Sequence, residues 1–240
     1  MANHTEAELL LSGKTDFKLQ VPYQLFETGE KGIQKPMLVY LHGFSQNITR
    51  FQQDTQPMLS VNGYHLYIQA PYPIYDRSRK KKVDEWGRAW YLYDGDQSQF
   101  RSSLDQASRF VRDIISRVKK IVDINRICII GFSMGGYLSG YHAIHNPGQV
   151  NELIIYGARF KSELLIGDYE KISHQNILAL HGIDDKRVEP EPQKNEMRIL
   201  REKGIDARFS EIEESHIFSQ SGIEIILDWL NNKGYTFSQS

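Results

Sequence analysis

The residues best suited to chemistry in this chain surround one serine. Residues 131–135 read G-F-S-M-G, directly after the apolar run RICII and before a stretch with helical periodicity. At such a strand–turn–helix junction the turn is so sharp that only glycine fits two residues before and two residues after the serine. The hydroxyl of Ser133 would lie at the N-terminus of the helix, where the helix dipole favours developing negative charge. The pattern predicts a nucleophilic serine, and an ordinary Gly-Ser turn into a helix is the alternative.

An acid that could support this serine lies at the end of another apolar run. Residues 180–188 read LHGIDDKRV, and a carboxylate at this strand tip can orient a histidine and stabilise its protonated form. We predict that Asp185 has this role, with Asp184 as its close rival. A turn that caps the following helix would explain either aspartate alone, and His181 is expected to be a structural residue.

The base expected between the serine and the acid is a histidine. Of the eight histidines in the chain, His216 lies in a loop directly before the last amphipathic stretch. The chain order Ser133, Asp185, His216 is one of the known orders of a Ser-His-Asp triad. We therefore predict His216 as the general base.

Backbone donors for an oxyanion can also be assigned. Residues 40–45 read YLHGFS, after the first run expected to form a parallel strand. An H-G-x turn at this position offers one N–H group, and the residue after the nucleophile offers the other. We predict an oxyanion hole formed by the N–H groups of Phe44 and Met134, each contributing about 3 kcal/mol to transition-state stabilisation.

The elements that must position these residues alternate between strands and helices. Apolar runs of strand length lie at 37–41, 64–70, 126–132, 150–156 and 176–180, with a looser alternation at 17–26. Helical patterns lie at 48–60, 100–122, 134–146, 190–203 and 219–231. This alternation predicts a single α/β domain over residues 1–240, with a mostly parallel sheet covered by helices on both faces. Residues 1–15 are expected to be poorly ordered or peripheral.

Composition excludes several classes of protein. The chain of 240 residues has 29 Lys and Arg against 30 Asp and Glu, a net charge of −1, which argues against a nucleic-acid binder. The single cysteine, Cys128, cannot form an intrachain disulfide, and no apolar run approaches the ~18 residues of a membrane span.

We expect a cytoplasmic protein without stable membrane insertion, which is a monomer or a homodimer. No metal-ligand cluster or nucleotide-binding motif is visible, so no metal and no cofactor are predicted.

Five segments together resemble a known family: HGFSQN, APYP, GFSMGG, HGIDD followed by a valine, and ESHIF. They resemble the α/β-hydrolase superfamily, most closely its small carboxylesterase and phospholipase branch, which includes acyl-protein thioesterases. The resemblance covers roughly residues 36–230 and implies an α/β-hydrolase fold with the acid at Asp185. It implies hydrolysis of carboxylic esters or thioesters through an acyl-enzyme on Ser133, without a cofactor. Three departures concern the substrate. Met134 stands where thioesterases usually have glutamine, the oxyanion turn continues Phe44-Ser45-Gln46 where the thioesterases differ, and residues 76–87 are unusually basic.

The substrate is less well defined than the reaction. About 20 residues separate the runs 150–156 and 176–180, too few for a cap domain, so an open site is expected. Aromatic residues after the third strand could wall a pocket, or could instead pack the loop onto the body. The residues predicted to contact a small-molecule or acyl ester substrate are Tyr72, Trp86, Trp90 and Tyr91. The basic run 77–82 would either meet an anionic partner or form a solvated loop.

Two other functions remain open at this point. The chain could be a catalytically silent hydrolase fold that serves as a binding module, because fold alone does not imply activity. It could also be a serine peptidase, since a triad does not distinguish an ester from an amide.

Overall fold

The computed structural model describes residues 9–15 and 18–238. Within these residues, seven strands form one sheet in the order β1-β3-β2-β6-β7-β8-β9, and a two-stranded ribbon pairs β4 with β5. The strands are β1 Tyr23–Glu27, β2 Lys35–Leu41, β3 Tyr64–Ile68, β4 Tyr72–Pro73, β5 Arg88–Ala89, β6 Ile124–Phe132, β7 Glu152–Tyr156, β8 Asn176–Gly182 and β9 Asp206–Ile212. The helices are α1 Ile48–Asp54, α2 Gln97–Val118, α3 Met134–His145, α4 Pro190–Glu202 and α5 Gln220–Asn232.

The main sheet is parallel except at one edge. Strand β1 pairs antiparallel with β3, while every other neighbouring pair in the main sheet is parallel. The carboxyl ends of β2, β6 and β8 therefore meet at the same edge, where ligands bind in open α/β sheets. The predicted mostly parallel sheet is confirmed.

Alternate side chains of each central strand enter different cores. In β2, Met37, Val39 and Leu41 pack into the core beneath α2, α3 and α4. Leu38 and Tyr40 point the other way, into the core beneath α1 and α5. Both sets are buried, which is why the strand reads as a continuous apolar run and not as an alternating one. The expected helices on both faces are confirmed.

The two edge strands differ from the sequence-based expectation. The alternation at 17–26 predicted a longer strand, but β1 begins only at Tyr23, and residues 18–22 have no regular structure. Strand β9 was not predicted at all. Its sequence, DARFSEI, is polar and largely accessible because only one neighbour covers it.

The connection from β7 to β8 decides how open the site is. Residues 157–175 contain only two short 3₁₀ turns, Ser162–Leu165 and Glu170–Ile172. They add no layer over the sheet, so the expected absence of a cap domain holds for this connection.

The structure describes part of the N-terminal segment 1–15. Residues 1–8 lie outside the described residues, whereas residues 9–15 have no regular structure and are exposed.

Helix α2 is long but amphipathic, with Leu104, Val111 and Ile115 buried along one face. Across the described ranges, no helix is both long enough and apolar enough to cross a membrane.

Candidate active site

Ser133 occupies a strained turn between β6 and α3. Its backbone has φ 51° and ψ −115°, a region that costs a residue other than glycine about 1–3 kcal/mol. Two hydrogen bonds hold the turn. The Ser133 N–H donates to the carbonyl of Tyr156 at 2.8 Å, and the Tyr137 N–H donates to the carbonyl of Ser133 at 3.1 Å. The surrounding structure thus fixes the serine at the carboxyl edge of the sheet.

The glycines around Ser133 allow close backbone approach. A Cβ atom on Gly131 would come within 3.0 Å of the carbonyl oxygen of Gly135, and one on Gly135 would crowd the carbonyl of Leu41 equally. A Cβ on Gly136 would come within 3.0 Å of Ala158. The N-terminus of α3 therefore packs directly against β2 and β6, as the crowding argument from the motif requires.

A continuous hydrogen-bonded chain links the predicted nucleophile, base and acid. His216 Nε2 lies 2.8 Å from Ser133 Oγ, and His216 Nδ1 lies 2.6 Å from Asp185 Oδ2. Because a carboxylate only accepts, Nδ1 carries the proton and donates it to Asp185. That tautomer leaves Nε2 free to accept the proton of the serine hydroxyl.

Asp185, and not Asp184, contacts the histidine. Its Oδ1 accepts the backbone N–H groups of Arg187 and Val188, each at 2.9 Å, while Oδ2 faces His216. Burial acts to raise the pKa of Asp185 and is the largest effect. Hydrogen bonds from Val188, His216 and Arg187 together nevertheless hold this pKa below its ordinary value. The side chain of Asp184 is exposed.

His181 lies beneath the loop that carries Asp185. It is fully buried, and its Nε2 donates to the carbonyl of Val188 at 2.8 Å. Burial lowers its pKa, so the ring is neutral. In the described part of the chain its Nδ1 has no hydrogen-bond partner. This placement matches the structural role expected for His181.

The ring of His216 is held between two neighbours. The ring of Phe132 lies 5.2 Å from it, centroid to centroid, with the planes tilted by 32°. Gly157 lies on the imidazole as well, with φ +59°, and a Cβ there would be 3.3 Å from His216 Cε1. These contacts fix the plane of the ring in line with Ser133 and Asp185.

The two predicted oxyanion donors are free. Within residues 9–15 and 18–238, neither the N–H of Phe44 nor that of Met134 donates to a protein acceptor. The turn that presents Phe44 is closed by Gln46, a role that was not predicted for this residue. Gln46 Oε1 accepts the Gly43 N–H at 2.7 Å, and Gln46 N–H donates to the carbonyl of Gly43 at 3.2 Å. An amide side chain three residues after a glycine, as in HGFSQ, was the available signal.

Trp90, one of the predicted substrate contacts, packs against the turn after β2. It is fully buried, and its Nε1 donates to the carbonyl of His42 at 2.7 Å. Its backbone N–H meets Met134 Sδ at 3.5 Å. The Trp90 side chain therefore fastens the turn that presents the Phe44 N–H, and its contact with substrate stays a prediction.

His42 completes the support beneath that turn. Its ring lies 5.1 Å from the ring of Trp90. Nδ1 donates to the carbonyl of Gly43 at 2.8 Å, and Nε2 accepts the Ala70 N–H at 3.2 Å. Burial lowers the pKa of His42 to about 4, which keeps the ring neutral. His42 is therefore a structural residue of the turn.

A cavity of about 440 Å³, which we name the apolar cavity, opens beside Phe44 and Met134. Tyr72 and Tyr91, both predicted to contact substrate, line it. Trp86 does not line this cavity, since it packs edge-on against Tyr75 at 5.0 Å and donates to the carbonyl of Lys81. The lining residues are Phe44, Tyr72, Pro73, Ile74, Ala89, Tyr91, Leu92, Tyr93 and Met134.

The basic run at 77–82 forms an exposed loop around one carboxylate. Asp76 accepts the backbone N–H groups of Ser78, Lys80 and Lys81 at 3.1–3.2 Å. Hydrogen bonds from Ser78 in particular lower the pKa of Asp76. The loop side chains are almost all solvent-exposed, as the solvated-loop alternative requires.

Other reactive side chains are poorly placed for chemistry. Cys128 is fully buried in β6, and burial raises the pKa of its thiol, which disfavours the reactive thiolate. In the parts of the chain that the structure describes, no three His, Cys, Asp or Glu side chains converge to hold a metal ion.

A strained serine turn at the carboxyl edge of a mostly parallel sheet, with helices on both faces, defines the α/β-hydrolase class. A family model described as phospholipase/carboxylesterase matches residues 28–233. The chain belongs to this family.

Solved structures share the fold at low sequence identity. Esterase PE8 is 18% identical, with a TM-score of 0.71, and the match covers 89% of this chain and 99% of that one. Acyl-protein thioesterase 2 of Zea mays is 18% identical, with a TM-score of 0.67 and the same coverages of 89% and 99%. A carboxylesterase of Bacillus cereus is 12% identical, with a TM-score of 0.66 and coverages of 88% and 94%. No curated protein sequence shows a significant match.

Proposed function

We propose that this protein is a serine hydrolase that cleaves carboxylic esters or thioesters through an acyl-enzyme on Ser133. The observation that carries the proposal is the hydrogen-bonded chain from Ser133 through His216 to Asp185. A serine hydroxyl is a weak nucleophile near neutral pH and needs an adjacent base to react. Membership of the phospholipase/carboxylesterase family supports the same chemistry.

The first half of the reaction acylates the serine. His216 Nε2 takes the hydroxyl proton as Ser133 Oγ bonds to the substrate carbonyl carbon. The carbonyl oxygen becomes an oxyanion and accepts hydrogen bonds from the N–H groups of Phe44 and Met134. As the intermediate collapses, the bond to the alcohol or thiol breaks, and His216 returns the proton to the leaving group.

The second half releases the acid. A water molecule gives its proton to His216 and attacks the acyl carbon, and Ser133 leaves as its proton returns from the histidine. Asp185 stays ionised throughout because its lowered pKa keeps it a carboxylate. It holds the reactive tautomer of His216 and stabilises the imidazolium in each half-reaction.

The apolar cavity is the place for an apolar part of the substrate. It contains both residues that donate the oxyanion hydrogen bonds, so a group bound there lies next to the reacting carbonyl. We propose Tyr72 and Tyr91 as its substrate contacts. Because residues 157–175 form no cap, the cavity is reached from solvent without a domain movement.

Active-site labelling tests the proposal. A fluorophosphonate probe should label the wild type on Ser133, and the wild type should hydrolyse p-nitrophenyl acetate. Ser133→Ala should lose both labelling and turnover. Ser98→Ala removes an exposed hydroxyl at the start of α2 and should retain both.

Two results would replace the proposal with another function. Folded wild-type protein that neither reacts with the probe nor turns over any ester would be a silent hydrolase fold used for binding. Faster cleavage of peptide amides than of matched esters would make the protein a peptidase.

A further inference from the structure

A second cavity, of about 610 Å³, adjoins the apolar cavity, and we name it the cationic groove. Tyr91 and Tyr93 line both cavities, so the two share a wall. The cationic groove is set apart by its charged lining, in which four cations face one carboxylate, Glu189. The four cations are Arg159, Lys161, Lys186 and Arg187.

The cationic groove is built partly from the segments that hold the triad. Tyr137 lines it and lies one helical turn after Ser133, to whose carbonyl its N–H donates. Lys186 and Arg187 directly follow Asp185 in the chain. The groove therefore lies at the same edge of the sheet as Ser133 and Asp185.

Three of the four cations lack an acidic partner. Arg159 pairs with Glu163 and lies 3.8 Å from Glu196, so its charge is largely balanced. Among the described residues, no carboxylate lies within 4.0 Å of Lys161, Lys186 or Arg187, whose charges are left for a ligand. Within the described ranges, Glu189 forms no ion pair either, and a single carboxylate cannot balance three cations.

The local charge contrasts with the molecule as a whole. The chain carries a net charge of −1, so the excess of cations in the groove is not the property of a generally basic protein.

Aromatic rings form the walls of the cationic groove, those of Tyr91, Tyr93, Phe100 and Tyr137. Low-dielectric walls around charges of one sign focus the field and concentrate ligands of the opposite sign. Lysine and arginine side chains then bind carboxylate or phosphate oxygens directly.

We propose that the cationic groove binds a carboxylate or phosphate group carried by the ester itself, so that the enzyme prefers anionic esters to neutral ones. This inference rests on the proposed hydrolase function. The carbonyl would lie between Ser133 and the oxyanion donors while the anion lies among Lys161, Lys186 and Arg187. Each partly exposed ion pair is weak, and three together give an expected preference of about five- to tenfold.

Matched pairs of esters test the preference and locate the anion. One pair varies the acyl side: the p-nitrophenyl monoester of adipic acid against p-nitrophenyl hexanoate. The other varies the leaving group: the butyrate ester of 3-hydroxyphenyl phosphate against the butyrate ester of 3-methoxyphenol. In at least one pair the anionic ester should have the higher kcat/KM, mainly through a lower KM. The advantage should shrink as ionic strength rises.

Charge-removing variants connect the preference to the groove. In Lys161→Gln and Lys186→Gln, the anionic-to-neutral ratio of kcat/KM should fall severalfold. Taking the ratio within one preparation cancels any loss of folded enzyme. Lys119→Gln is the matched control. Lys119 is exposed at the C-terminus of α2, and the chain runs on from it to the start of β6, at the edge of the sheet opposite the groove. Its ratio should equal that of the wild type.

The outcomes separate this inference from the function on which it rests. An enzyme that hydrolyses neutral esters but has no preference for either anionic ester overturns the groove proposal and leaves the hydrolase proposal intact. If no ester is hydrolysed, calorimetric titration with phenyl phosphate and benzoate, against benzyl alcohol, decides the matter. Binding of an anion that weakens in Lys161→Gln supports the groove, and absence of anion binding to the wild type overturns it.

Discussion

The two carboxylate oxygens of Asp185 have different partners. Oδ1 is saturated by the backbone of its own loop, through the N–H groups of Arg187 and Val188. Oδ2 is left for His216. The loop thereby fixes the direction of the carboxylate before any substrate binds, and the low pKa of Asp185 keeps it charged.

Replacing this acid by its amide should disable the base while leaving the fold in place. In Asp185→Asn, the side-chain oxygen can still accept the N–H groups of the loop. The amide nitrogen would then face His216 and favour the wrong ring tautomer. We expect kcat for p-nitrophenyl acetate to fall by about three to four orders of magnitude. Asp184→Asn, which alters an exposed neighbour, should change kcat less than about twofold. The reverse ranking of the two variants would assign the acid to Asp184.

Residue identity was predictable where a local pattern fixed it. The pattern G-x-S-x-G predicts the serine, and chain order and the place before the last helix predict the histidine. Asp184 and Asp185 could not be separated by spacing, because the direction of each side chain depends on how the loop folds back on Glu214 and Val188. The contact of Trp90 with the turn after β2 could not be predicted from the sequence, because its partner, the carbonyl of His42, is 48 residues away.

At the scale of elements, two segments are joined beside the oxyanion donors. The turn after β2 and the strand β5 exchange backbone hydrogen bonds: Ser45 N–H to Arg88 carbonyl at 3.0 Å, and Arg88 N–H to Gln46 carbonyl at 2.9 Å. Trp90 adds the third bond, from its indole to His42. Ser45 has φ +64°, a left-handed conformation that this pairing holds in place.

Removing the indole donor should therefore affect both stability and catalysis. Trp90→Phe leaves the buried carbonyl of His42 without its donor, a loss of about 1–3 kcal/mol, equivalent to a Tm lower by roughly 5 °C. We also expect kcat to fall about tenfold with a smaller change in KM, because the oxyanion turn loses its support. Trp86→Phe removes an indole donor from the exposed loop and should leave kcat nearly unchanged.

The comparison of Tm with kcat distinguishes two roles for Trp90. A lower Tm with unchanged kcat per active site, titrated with the fluorophosphonate probe, would make Trp90 an ordinary core residue. A coupled loss of both would identify it as a positioning residue for the oxyanion turn.

How clearly the sequence predicts a strand depends on how much of that strand is buried. Central strands such as β2 and β6 bury both faces and stand out as apolar runs. Strand β9 lies at an edge, with polar residues at most of its positions, so its hydrophobic signal is weak and it was missed. Helix α4 was located within one residue because Pro190 marks its first turn.

At the scale of the whole molecule, the two cores contain neutral histidines. Burial lowers the pKa of His42, His65 and His142 to about 4 in each case. In the unfolded chain a histidine has a pKa of about 6.5. The unfolded state therefore binds more protons than the folded state at every pH between these values, and folding is penalised as pH falls.

Stability should accordingly be highest above pH 6.5 and decline as pH falls toward 4. These three histidines alone give a limiting slope of about 4 kcal/mol per pH unit for the free energy of unfolding, and His181, whose pKa burial also lowers, adds to it. Urea denaturation at pH 7, 6 and 5 measures this slope directly. His142→Gln should reduce the slope by about 1.4 kcal/mol per pH unit, whatever its effect at pH 7, whereas His174→Gln, at an exposed position, should leave it unchanged. A free energy of unfolding that stays constant from pH 7 to pH 5 would contradict the prediction, because the buried rings would then not resist protonation.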